Sequence, residues 1–270
     1  MKAIHATAVA ALSTVAALAP APVAAQATDT WQFDAALYLY LPSVDGTTRF
    51  GNGGSSDATV DVAKVLESLN ATFQASFEAR RGQWGGYTDL VYVNFSHSKS
   101  STRDLSIGGI PLPVDVSAAT DFRLKGSAWT VAGVYRAIPD PASPLDVIAG
   151  ARLLDIKQTL SWQLSGNIGQ FPIQGQARTQ DASIHSLDAI VGAKGRIALA
   201  AGGKWYVPYY VDIGTGDADL TWQAMAGVGY SFGALSVVGA WRYLDYRFKS
   251  GKPFDTLSFN GPVFAAVYRW

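Results

Sequence analysis

The feature that most constrains this chain is a strict two-residue alternation of oily with small or polar side chains, repeated in segments of about ten residues. In 72–81, Phe73, Ala75, Phe77 and Ala79 oppose Thr72, Gln74, Ser76, Glu78 and Arg80. In 31–41, Trp31, Phe33, Ala35, Leu37, Leu39 and Leu41 oppose Gln32, Asp34, Ala36, Tyr38 and Tyr40. In 186–199, Leu187, Ala189, Val191, Ala193, Ile197 and Leu199 oppose Ser186, Asp188, Lys194 and Arg196; around Trp222, the set Trp222, Ala224, Ala226, Val228, Tyr230 and Phe232 does the same. Period two is the signature of strands with one oily face, and it excludes amphipathic helices.

With weaker segments added, the pattern predicts ten strands near 31–41, 71–81, 84–97, 120–138, 145–165, 181–200, 205–215, 220–232, 235–249 and 255–270. Their links alternate: 82–83, 139–144, 201–204 and 232–234 are short, whereas 41–70, 98–119 and 166–180 are long. An even strand number with short turns at one end and long loops at the other is the rule for a transmembrane antiparallel barrel. Composition agrees. Half the residues are hydrophobic (49%) and few are charged (16%), yet no apolar run after residue 25 reaches the ~20 residues of a spanning helix. A soluble periplasmic β protein is the rival this average does not exclude.

Residues 1–25 read as a secretory signal: Lys2, an apolar stretch 6–19, Pro20 and Pro22, then Val23-Ala24-Ala25 as the cleavage site. Residues 26–270 are then one barrel domain. Without Lys2 the chain carries 20 basic and 21 acidic residues, so nothing favours nucleic acid as a partner. Cysteine is absent, which excludes disulfides, thiolate metal sites and a thiol nucleophile.

Trp31, Trp84, Trp205 and Trp270 fall at strand ends on the short-turn side and form an expected aromatic girdle at the periplasmic lipid boundary. In the first long link, Val62, Val65, Leu66 and Leu69 recur at helical spacing. They predict a short helix over 60–69, either resting on the barrel mouth or decorating an external loop. The Gly-rich run 51–56 reads as linker; it lacks the Lys-Ser/Thr of a phosphate loop. Near the end, Gly261-Pro262 reads as a bulge, because Leu257 and Phe259 fall on the parity opposite to Phe264, Ala266, Tyr268 and Trp270. The alternating aromatic terminus resembles the signal read by the barrel-assembly machinery.

The runs Leu39-Tyr40-Leu41-Pro42 with Asp45-Gly46-Thr47, Phe77-Glu78-Ala79-Arg80 with Trp84-Gly85, Gly150-Ala151-Arg152-Leu153-Leu154-Asp155, Tyr210-Val211-Asp212-Ile213-Gly214 with Thr221-Trp222-Gln223-Ala224, and Tyr243-Leu244-Asp245-Tyr246 span the chain after residue 25. With them the sequence resembles a group of uncharacterised proteobacterial outer-membrane β-barrel proteins. The resemblance implies a barrel of unassigned function and carries no catalytic residue to transfer; outer-membrane lipids are the expected surroundings, no cofactor is expected, and isolated histidines supply no convergent metal ligands.

Parity puts Glu78, Arg80, Arg136, Arg152, Asp188, Lys194, Arg196, Asp212 and Arg242 in the lumen. Charges of both signs there predict a paired network that fills the interior; the alternative is a charged constriction in a narrow channel for small solutes. Two histidines follow the signal, His97 and His185. His185, Ser186 and Asp188 have the composition of a lipid hydrolase triad, but neighbouring strand residues face opposite ways, so His185 and Ser186 do not meet within one strand. The sequence therefore predicts a non-enzymatic barrel with a structural or solute-interacting role. The alternatives are a narrow channel and a lipid-modifying hydrolase.

Overall fold

A computed structural model describes residues 30–49, 55–60, 69–101, 106–107, 110–111, 116–168, 171–199, 203–252 and 254–270. The expected signal at 1–25 lies outside them. Ten strands form a closed antiparallel barrel: β1 (Trp31–Tyr40), β4 (Leu69–Arg81), β5 (Trp84–Ser101), β8 (Val116–Ile138), β9 (Leu145–Ile168), β10 (Phe171–Ala198), β11 (Trp205–Gly216), β12 (Ala218–Phe232), β13 (Leu235–Phe248) and β14 (Phe254–Arg269). Each pairs with its neighbour in that order, and β14 returns to β1 through Asp34↔Arg269 to Tyr40↔Val263. Closure leaves no unpaired edge in the wall where all ten ladders run. Two of the tight turns at one end use Gly82 and Gly233 in the left-handed region, with φ of 63° and 84°, a conformation that glycine adopts without steric penalty.

At the opposite end, much of what the sequence suggests as loop is strand. β2 (Ser43–Arg49) continues β1 along β14, and β3 (Ser55–Val60) pairs back on β2, so Ser55 and Ser56 of the expected linker are ladder residues. Val60 ends β3 and Leu69 opens β4; the rest of the expected helix, 61–68, lies outside the described residues. β5 extends to Ser101 and β8 starts at Val116, with two-residue strands β6 (Ser106–Ile107) and β7 (Ile110–Pro111) between them, while β9 runs to Ile168 and β10 starts at Phe171. β8, β9 and β10 have 23, 24 and 28 residues, against 12 in β11. A membrane crossing needs about 9–11. Above Asp188, which pairs with Gly216 at the end of β11, β10 is laddered to β9 alone among the described residues, and the rim rises on one side.

The outward face carries the oily parity. Phe73, Phe77, Leu187 and Val191 are 53%, 40%, 54% and 53% exposed. Along β10 the outward residues are apolar from Leu187 to Ile197 and give way above to His185, Ser183 and Asp181. Ten residue steps at ~3.4 Å, tilted by roughly 45°, give a belt of about 24 Å, close to the apolar height of known barrels. The same boundary recurs on β8 and β9, where Trp129 and Leu153 are followed outward by Lys125, Arg123, Asp155 and Lys157.

The inward face changes character along the axis. Near the turns it is charged and encloses a cavity. Farther up, Leu124, Leu154, Ile156, Ile184, Leu244, Tyr246, Phe248, Phe254 and Leu257 pack into one apolar cluster that occupies the lumen. Burying each such aliphatic side chain stabilises by about 1.5–3 kcal/mol. The expected bulge at Gly261-Pro262 is absent. β14 keeps one register against β13, with Arg242↔Gly261 and Trp241↔Pro262, and one register runs from β1 into β2 until a shift between Thr256 and Phe254, well away from Gly261-Pro262. Leu257 and Phe259 simply point inward, into the plug. From Leu257 to the end of β14 the parity is constant, and the chemistry of the interior is what switches.

Candidate functional site: a charged cup beneath an apolar plug

The turn end opens into a cavity of about 930 Å³ lined by inward residues of all ten barrel strands. Small residues make the room: Ala36, Ser76 and Ala265 stand where larger side chains would fill an ordinary core. Gly229 has a further role, since a Cβ there would sit 2.4 Å from the Tyr206 ring, which lies against the bare backbone.

The cup's charges interlock across the lumen. The Lys194 ammonium on β10 reaches across to Glu78 on β4 and lies 4.0 Å over the Tyr87 ring. Arg136 makes two contacts with Asp146, through Nε and, at 3.0 Å, through Nη2. Arg80 Nη1 lies 3.6 Å from both Glu78 and Asp146, while its Nη2 donates to Gln32 at 2.8 Å. Arg269 Nε is 3.4 Å from Asp34. Arg196 differs. Its Nη2 donates to the Pro141 carbonyl at 3.3 Å, its guanidinium lies 5.7 Å from the Tyr206 ring, and no carboxylate pairs with it among the described residues.

The cup ends on a tightly bonded layer. Arg242 Nη2 donates to Asp89 and to Gln223, both at 2.8 Å, and its Nη1 donates to the Tyr38 hydroxyl at 3.1 Å; that hydroxyl in turn donates to Asp89. Beside it Arg152 pairs with Asp212 and donates through Nε to Thr130 at 3.2 Å. Both pairs are buried, so the low dielectric makes either partner alone expensive. Asp188 is engaged differently: it accepts from Ser186 Oγ at 2.7 Å and from the Ala218 amide at 2.8 Å, which fixes the β11–β12 connection.

All nine charged residues singled out by parity thus face inward, but they fall into three groups: cup wall, floor and strand connection. Parity put Asp34 and Tyr38 on the inward face without naming them as partners, and sequence reasoning missed Asp89, Asp146, Arg269 and Tyr206. Asp89 is hidden because Leu90 and Tyr92 on one face of β5 alternate with Val91 and Val93 on the other, so that strand has no clean polar parity.

On the outside, Trp31, Trp84, Trp205 and Trp270 are exposed at the turn end. Trp84 packs on Tyr135 and Trp205 on Tyr230, at 4.8 Å each, and Phe33 stacks on Trp270 at 5.3 Å. A second outward set, Trp129, Trp222 and Trp241, lies nearer the tall rim. Trp129 Nε1 donates to Thr88 at 2.8 Å and Trp241 Nε1 to Asn260 at 2.6 Å, which pairs the indole N–H groups on an otherwise oily surface.

The candidate triad does not assemble. His185 projects outward, with Nδ1 3.2 Å from Asp155 and both side chains at least half exposed, while Ser186 is buried on the inward face with Asp188. His97 lies in β5 opposite Phe122; its side chain lies outside what the structure describes. Among the described residues no group of three or more His, Asp or Glu side chains is placed to hold a metal ion.

No protein-family model matches the sequence, and no curated protein matches it. Among solved structures, the chain is similar to the translocator domain of the autotransporter NalP from Neisseria meningitidis, at 14% identity over 89% of this chain and 88% of that one, with a TM-score of 0.41. It is similar to the outer membrane protease OmpT from Escherichia coli at 10% identity over 91% and 97%, with a TM-score of 0.49. It is also similar to a Pseudomonas aeruginosa FadL homologue at 7% identity over 90% of each chain, with a TM-score of 0.32. At these identities and scores the likenesses assign no activity to this chain.

Proposed function

We propose that this chain is an integral outer-membrane barrel that blocks its own lumen and offers a charged cup to the periplasm. In this reading the turn end and its tryptophan girdle face the periplasm and the tall rim faces outward. Residues 1–25 are an export signal removed on secretion. The protein meets outer-membrane lipids and the barrel-assembly machinery and has a structural or solute-binding role without catalysis.

The observation that carries the reading is the stacking, inside a wall with an apolar exterior, of the Arg242–Asp89 floor beneath the cluster of Leu154, Ile156, Leu244 and Leu257. An ion entering from the cup meets first a layer in which Arg242 and Asp89 already neutralise each other, and then hydrocarbon. Both raise its free energy by far more than a hydrated pore does. The test is single-channel recording of the purified protein in planar bilayers. The expected trace is indistinguishable from the bare bilayer, and discrete conductance steps would replace the proposal with the channel reading. The hydrolase reading has no geometric support at His185, because its candidate nucleophile lies on the other face of the strand.

A further inference from the structure

We infer that the cup binds a small soluble oxyanion, a polycarboxylate or phosphorylated solute, through Arg196 and Arg269 where they flank Tyr206. Six cationic side chains line the cavity against four carboxylates. The excess is not spread evenly. Arg196 lies 5.7 Å and Arg269 5.5 Å from the centroid of the Tyr206 ring, so both guanidiniums neighbour one aromatic ring. Between them they have one carboxylate, Asp34, 3.4 Å from Arg269 Nε. Arg269 also donates through Nη1 to Ser236 at 3.0 Å, whereas Arg196 Nη2 donates over a longer 3.3 Å to the Pro141 carbonyl.

Two like charges held together in a partly desolvated cavity are unfavourable unless an anion joins them. Guanidinium forks match the geometry of carboxylate and phosphate oxygens, and a ring fixed against Gly229 pre-sets their spacing, so little ordering remains to be done on binding. The size of the cavity, about 930 Å³, suits a small molecule, and its opening at the turn end favours a water-soluble ligand.

The experiment is isothermal titration of the refolded full-length barrel in detergent micelles at low ionic strength, with pyrophosphate and citrate as probes. Dihexanoylphosphatidate serves as a third arm, to recognise a lipid headgroup as the source of the same chemistry. The expected result is saturable binding of at least one probe, weakened tenfold or more by Arg196→Gln or Arg269→Gln and within twofold of wild type in Lys204→Gln, which lies outside the cavity. Heat-modifiable gel migration reports folding, and Arg196→Lys, which keeps the charge but loses the guanidinium fork, is expected to bind more weakly than wild type and more tightly than Arg196→Gln. No saturable binding of any probe, or equal affinity in the Arg196→Gln and Lys204→Gln variants, would overturn the inference. It rests on the closed-barrel reading only for the direction the cup faces. A chain that binds pyrophosphate in micelles but conducts in bilayers would remove that reading and leave this one standing.

Discussion

The side chain of Gln74 takes the place of a strand at the point where the barrel seam opens beside Tyr40. The β1–β4 ladder ends at Leu37↔Ala75. One residue further along β4, Gln74 Nε2 donates to the Tyr40 carbonyl at 3.0 Å, and the Tyr40 amide donates back to Gln74 Oε1. The two bonds are those a backbone neighbour would have made, and both groups are buried. The primary amide carries a donor and an acceptor in the geometry of a peptide bond; an aliphatic residue of similar volume does not.

Replacing Gln74 by Leu is therefore expected to destabilise the barrel by about 2–4 kcal/mol, since it orphans one buried donor and one buried acceptor. Hydrogen exchange resolved at the Tyr40 amide gives a separate reading: protection there should fall, while the Phe77 amide keeps its rate.

Arg152 and Asp212 form a buried pair in the lumen. Asp212→Leu alone should cost about 3–5 kcal/mol, because the guanidinium is left uncompensated. Arg152→Met combined with Asp212→Leu should recover most of that loss. Guanidinium unfolding followed by tryptophan fluorescence in lipid vesicles measures both. A double variant as unstable as the single one would show that the pair contributes more than mutual compensation.

The plug makes a graded prediction. Leu154→Ala and Leu244→Ala should each cost about 2–5 kcal/mol as core truncations. Combined with Ile156→Ala they should also let a small cation pass. Vesicle-entrapped dye quenching by thallium is expected to be slow for the single variants and measurably faster for the triple one.

His185 and Asp155 form a solvent-exposed pair. His185→Ala should change stability by less than about 1 kcal/mol. It should also leave unchanged any lipid deacylation found in the preparation, assayed by thin-layer chromatography of labelled lipid.

The wall of the barrel was legible in the sequence because lipid on one side forces a one-face rule. Trp31–Tyr40 and Trp205–Gly216 begin and end within about one residue of where alternation starts and stops. The interior obeys no comparable rule. Parity assigns Arg242 to the lumen but does not indicate that its carboxylate is Asp89, 153 residues away. Leu257 and Phe259 suggested a bulge because an oily residue on the inward parity contradicts a uniformly polar lumen; the plug makes that residue ordinary. The tall rim escaped for a related reason. Beyond the lipid neither face needs to be oily, so β9 continues to Ile168 and β10 starts as early as Phe171 without an alternating pattern to announce them.

The most direct test of the account is the depth profile of single spin labels, which the absence of cysteine makes straightforward. Labels at Phe73, Phe77, Leu187 and Val191 in barrels reconstituted into vesicles should relax strongly with oxygen and weakly with a nickel chelate. Labels at Lys125 and Lys157 should do the reverse. Nickel access at the four apolar positions equal to that at the two lysines would mean that water, not hydrocarbon, surrounds this sheet.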